Sequence, residues 1–175
     1  MKLLLILLPL LIQAKSFDYW NKTFQSLSYQ ERSSLVKTFV KALPYDMSFS
    51  LTAIHFKESF GDRYKININN SKSIDVGSFM INTKEYLRKR NIKNNSWNTS
   101  RAIEELLDYE TNFLEALDIL NICLKKAKGN WKLSYQYYNG WTSNSKRSIE
   151  YSKDIVNIIK VLKVYFNNSK IKVRN

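Results

Sequence analysis

Glu58 closes an otherwise apolar stretch and is followed by Ser59 and Phe60. Ile54 and Phe56 flank it, and Ile54 shares its helical face at i−4. A carboxyl packed against apolar groups is harder to ionise, so its pKa rises. That is the property of a general acid working near neutral pH. A lone Glu on a helix is also a common solvated residue, and that reading stands beside the first. His55, the only histidine, lies at i−3 and reads as a packing or hydrogen-bonding residue rather than a catalytic one. Cys123 is the only thiol, so it has no intramolecular disulfide partner. It sits between Ile122 and Leu124 and reads as a buried, inert cysteine. Asp62 and Asp75 could each supply a second carboxylate, which would make the chemistry hydrolytic. Their polar surroundings favour turn or capping roles instead. Trp131, Tyr135, Tyr137, Tyr138 and Trp141 could stack on a ring-shaped ligand, but aromatics at helical spacing also fill cores; we expect two of these to line a cleft. No zinc spacing, phosphate-cradling glycine loop or nucleophilic triad occurs, so neither cofactor nor metal is expected.

These residues need helices to position them. Residues 28–43 carry Leu35, Val36, Phe39, Val40 and Leu43 at helical spacing, and Pro44 breaks the pattern. Residues 47–60 form a second helix, which Gly61 can end. The polar stretch 62–76, with Tyr64, Ile66 and Ile68 alternating, reads as a loop or one short hairpin. Gly77 is expected to open a third helix running to about residue 90, followed by a polar connector at 91–97. Ser100 is the expected N-cap of one long helix through Ile103, Leu114 and Leu124. A short helix at 131–138, a sharp Asn139-Gly140 turn and a last helix at 144–166 complete the pattern. The tail 167–175 is polar and expected to be frayed.

The whole chain has 175 residues, 44% of them hydrophobic and 14% aromatic, with only 4 Gly and 2 Pro. Such a chain suits one compact, mainly helical domain with at most one small hairpin. The net charge of +13 suits an anionic polymer as partner, but abundant Lys along the whole chain reads equally well as compositional bias. The leader MKLLLILLPLLIQA joins Lys2, a ten-residue apolar run and Ala14 in the manner of a secretory signal peptide at residues 1–14. The run is too short to span a bilayer. Ile12 is a poor residue three places before a cleavage point, so an uncleaved anchor is the alternative. The expected location is periplasmic, or the inner membrane if the leader stays. Export argues against a nucleic-acid partner.

Three segments in order resemble the soluble lytic transglycosylase (goose-lysozyme-like) domain family. LTAIHFKES at 51–59 resembles its apolar helix ending in Glu-Ser. DVGSFMIN at 75–82 resembles its Gly-x-Met/Phe-Gln-Ile segment. Gly129-Asn130-Trp131 through Tyr137-Tyr138-Asn139-Gly140 resembles its Gly-x-Trp helix running into Ala-Tyr-Asn-x-Gly. The resemblance covers about residues 45–157, and the short exported members associated with type IV secretion systems look most alike in size and layout.

The resemblance implies a lysozyme-like α+β domain at 45–166 with a catalytic cleft, preceded by a helical segment at 15–44. It implies cleavage of the bond between N-acetylmuramic acid and N-acetylglucosamine in peptidoglycan, with closure of a 1,6-anhydro ring. Glu58 would be the acid/base. Ser59 would help position that carboxylate or the substrate. Gly77 would let backbone approach the sugar, beside Phe79 and Met80. Tyr138 and Asn139 match the family's Tyr-Asn pair, the tyrosine hydroxyl being expected on Glu58. Met80 stands where the family usually has Gln, and Gly140 follows Asn139 without the usual intervening residue. The implied partner is the glycan strand, and a secretion apparatus is a further one. The chain is expected to act as a monomer. A goose-type hydrolase and a non-catalytic wall-binding or secretion-assembly protein are the alternatives.

Overall fold

The computed structural model describes residues 13–69, 73–140 and 145–168, with residues 167 and 168 described by backbone alone. The leader through Ile12, Trp141 and the tail from residue 169 lie outside the described residues. Eight α-helices and one small antiparallel sheet make up the described chain.

Helix α1 (Phe17–Ser26) begins at Ser16, whose side chain accepts the Tyr19 amide. It buries Trp20 and Phe24, an i,i+4 pair. Helix α2 (Tyr29–Ala42) opens with a full capping box between Ser28 and Glu31. A 3₁₀ turn at Leu43–Tyr45 follows, with Pro44 near its start, where the missing N–H costs nothing. Helix α3 (Ser48–Ser59) is buried nearly all round, which marks it as the central helix. It ends where Phe60 and Gly61 turn left-handed. A Cβ on Gly61 would meet the Glu31 carbonyl at 2.6 Å, so the close approach to α2 requires glycine.

The sheet has order β1-β2-β3: β1 (Ile66–Asn69), β2 (Ser73–Val76) and β3 (Ile81–Asn82). Both pairings are antiparallel, with Ile66 opposite Val76 and Val76 opposite Ile81. The expected hairpin therefore gains a third strand. The helix expected from Gly77 starts later, as α4 (Thr83–Lys89). Gly77 and Met80 have positive φ, which no helix accommodates, and Asn82 caps α4 by accepting from Lys84 and Glu85.

The single long helix expected next is two. Helix α5 (Ser96–Leu107) is capped by Asn95 rather than Ser100, which lies inside it. The chain leaves helical geometry at Asp108, whose carboxylate caps α6 (Tyr109–Lys126). Helix α7 (Trp131–Tyr138) is capped by Asn130, and α8 (Lys146–Asn168) is the last.

One continuous core holds these elements together. Trp20, Phe39, Leu51, Phe56, Phe79, Phe113, Ile155 and Leu162 all belong to it, so α1 and α2 share the core of the rest. No helix among the described residues is long and apolar enough to cross a membrane.

Candidate functional site

Helices α3 and α8 pack face to face, and consecutive residues of α3 reach two different partners on α8. Lys57 pairs with Asp154 at 2.6 Å. Glu58 accepts a 2.6 Å hydrogen bond from the Tyr151 hydroxyl. Tyr151 and Asp154 lie three apart, hence on one helical face. Glu58 as a residue is half-buried at the end of α3. Burial raises its pKa above the ordinary carboxyl value. The Tyr151 hydrogen bond and the Lys57 and Lys65 charges oppose that rise, and the Asp75 charge adds to it. Lys65 also donates to the Glu58 carbonyl at 2.7 Å, clamping the end of α3.

Tyr138, the residue expected on Glu58, stands close without bonding it. Its hydroxyl is buried and has no hydrogen-bond partner among the described residues. Burial, with the Glu58 charge second, pushes the phenol well above its usual range. Tyr151 takes the expected role, and its own phenol is raised by burial and by Glu58. Sequence reasoning passed over Tyr151. The available signal was its place on the apolar stripe with Ile155, Ile158 and Leu162, where a buried tyrosine hydroxyl needs a partner.

Other expected site residues have different surroundings from those the resemblance implies. Ser59 is buried and its hydroxyl donates to the His55 carbonyl at 3.1 Å, away from the carboxylate. Gly77 is tight on its inner side: an added Cβ would lie 2.5 Å from Asn112 Nδ2 and 2.8 Å from the Leu106 carbonyl. Its glycine is required by this close packing and by its φ of +80°. Asn112 ties the turn down by donating to the Val76 carbonyl and accepting the Phe79 amide. Phe79 is 1% exposed and packs on His55 and Phe113, so its ring fills the core. Met80 is half-buried in a left-handed turn before β3. Asn139 ends α7, its amide donating to the Tyr135 carbonyl.

No family model matches this chain, and no curated protein or solved structure matches it. The geometry therefore stands by itself.

His55 is fully buried, with Nδ1 2.8 Å from the Thr38 hydroxyl. Burial, then the Arg63 charge, lower its pKa to about 3, so the ring is neutral. Cys123 is buried, and burial raises its thiol pKa to about 11. Asp62 is exposed and accepts the Tyr64 amide in a turn. Asp75 is held by the side-chain amides of Asn69 and Asn82. Of the aromatic group, Tyr135 is buried on Ser50, Trp131 is exposed, and Tyr137 lies under Lys126. Among the described residues, no group of three or more metal-ligating side chains comes together.

Proposed function

We propose that the chain is a peptidoglycan lytic transglycosylase with Glu58 as its acid/base, built on a lysozyme-like α+β scaffold with its cleft at Glu58. One observation carries the reading: Glu58 is an acid raised by burial, positioned by a neutral donor, and as a residue half-buried. Such a carboxyl holds its proton to higher pH than an ordinary glutamate, the direction a general acid needs.

Glu58 gives its proton to the bridging O4 as the bond from C1 of N-acetylmuramic acid to O4 breaks. The N-acetyl carbonyl of the same sugar supports the cationic ring. The Glu58 carboxylate then removes the proton from the C6 hydroxyl, and O6 bonds to C1. A 1,6-anhydro ring results, Glu58 is protonated again, and no water is consumed. The Tyr151 hydroxyl steadies Glu58 in its charged state, and a positioned proton donor contributes roughly 10²–10⁴-fold. The excess positive charge of the chain favours residence on an anionic wall.

Asp75 supports a second reading, a goose-type hydrolase, because its charge reaches Glu58 and a second carboxylate could activate water. Mass spectrometry of muropeptides released by the purified protein separates the two. Anhydro ends support the transglycosylase, reducing ends support the hydrolase, and no release at all defeats both.

A further inference from the structure

The start of α2 and the 61–64 turn line an open cavity of about 570 Å³. Its size suits a ligand of several residues. Tyr29 and Tyr64 line it and are 82% and 67% exposed. Ser34, Lys37 and Arg63 form part of its wall.

This wall is unsatisfied. Ser34 is 6% exposed, and its hydroxyl has no hydrogen-bond partner among the described residues. Arg63 Nε is shielded from solvent and has none either. Neither Arg63 nor Lys37 forms an ion pair among the described residues. Both cations sit against one ring, Tyr109, at 4.9 Å and 4.6 Å from its centroid. Two carboxylates also line the cavity, but each is committed to backbone. Glu31 accepts the Ser28 amide, and Asp62 accepts the Tyr64 amide. Asp108, whose charge feels Arg63, is engaged by Thr111. The two cations share one aromatic ring without a direct ion-pair partner among the described residues, and Arg63 offers the planar fork that matches a carboxylate.

We propose that this cavity binds a carboxylate-bearing peptide, the stem attached to the muramic acid of the wall polymer. The assignment rests on the reading of Glu58 as a glycan-cleaving acid. The connection is direct: the 61–65 segment carries Arg63 in the cavity wall and Lys65 on the Glu58 carbonyl. On this assignment a strand lying at Glu58 extends its peptide branches along that segment, and the stem carboxylates meet Arg63 and Lys37.

Binding is measured in a Glu58→Gln background, which prevents turnover, with three probes: soluble glycan carrying peptide stems, the same glycan stripped of peptide, and a free stem tetrapeptide. Arg63→Gln and the exposed Lys37→Gln are compared with the parent. The expected result is at least a tenfold loss of affinity for peptide-bearing glycan in Arg63→Gln, and a smaller loss in Lys37→Gln. Stripped glycan should bind all three alike. The free tetrapeptide should shift NMR resonances of Ser34 and Arg63, and its fully amidated form should not. Lys37→Gln guards against a folding artefact, because Lys37 is an exposed residue whose loss leaves the core untouched. Equal losses for stripped and peptide-bearing glycan overturn the proposal, as does tetrapeptide binding that ignores amidation. If glycan fails to bind but the tetrapeptide still shifts Arg63, the peptide site survives and the glycan-cleaving reading falls. If neither binds, the peptide site falls.

Discussion

Glu58 and Asp154 are two acids at one helix interface, and they are treated oppositely. Asp154 is 4% exposed and surrounded by donors: the Lys57 ammonium, the Trp20 indole N–H and the Lys15 amide. The Ala14 amide bonds Glu150 one turn earlier, and Asn157 holds the Lys15 carbonyl. Asp154 thus fastens the start of the described chain to α8. Glu58 receives one neutral hydroxyl, and its nearest cations, Lys57 and Lys65, are engaged elsewhere. A buried acid met by a direct ammonium partner is a structural clamp. An acid buried against a phenol is left able to exchange its proton. The difference separates architecture from chemistry within a single turn of α3.

The largest effect that could break this contrast is on activity. Glu58→Gln should lower muropeptide release by at least about 100-fold. The same variant should melt higher than the parent at neutral pH. The folded-state pKa of Glu58 is raised above its unfolded value. The unfolded chain therefore releases this proton first as pH rises, and stability falls until pH passes the folded pKa. The penalty is fully present above the folded pKa and absent below about pH 4, the ordinary range of Glu. Thermal melts at pH 3.5 and 7.5 test this: a gain at neutral pH that vanishes in acid fits, and equal melting at both sinks the buried-acid account.

Asp154→Asn should do the reverse, costing mainly stability. Breaking a fully buried pair costs about 3–5 kcal/mol. Because the Lys57 side chain keeps 24% exposure, we expect about 2–3 kcal/mol. Urea unfolding measures it. Activity of the folded fraction should persist, with one change. Without the Asp154 charge, Lys57 acts more strongly on Glu58 and lowers its pKa. The alkaline limb of the pH–rate profile, where Glu58 loses its proton, should move to lower pH. An unmoved limb would show that Lys57 does not sense both acids.

The two halves of this interface were not equally readable. Phe49, Leu51, Ile54 and Phe56 before Glu58 made α3 and its acid visible, because their spacing is helical. Tyr151 was hidden, because a tyrosine in an apolar stripe looks like core until its hydroxyl finds a partner across the fold. The turn from Gly77 to Met80 was misread as helix. The close approach that excludes a Cβ at Gly77 comes from Asn112, 35 residues later, which no local pattern reports. Asn82 and Glu85, at cap and N3 spacing, were the local sign that α4 starts late. Asp108 broke the long helical repeat in the same way. Periodicity continued across it, while its carboxylate was capping a new helix.

Tyr151→Phe sharpens the comparison at smaller scale. Removing the donor should cost about 1 kcal/mol of stability and about tenfold in rate, the equivalent of roughly 1.4 kcal/mol. It should also raise the Glu58 pKa, since that hydrogen bond lowers it. The alkaline limb should therefore move to higher pH, opposite to its shift in Asp154→Asn. A pH–rate profile on both variants compares the directions, and shifts of the same sign would contradict the assigned donors.

Tyr138→Phe should have the smallest effect on folding, and its sign is informative. A buried hydroxyl without a partner is unfavourable, and deleting it should leave stability unchanged or raise it by up to about 1 kcal/mol. The contrast with Tyr151→Phe is then one of sign as well as size, although both phenols feel the Glu58 charge. On the proposed function, a Tyr138 hydroxyl without a partner among the described residues is free to meet substrate. If the Tyr138 hydroxyl meets sugar or the ionised acid during turnover, Tyr138→Phe lowers the rate while melting no lower. If it melts lower with unchanged rate, the hydroxyl is serving the fold, and Tyr151 is the only tyrosine that works on Glu58.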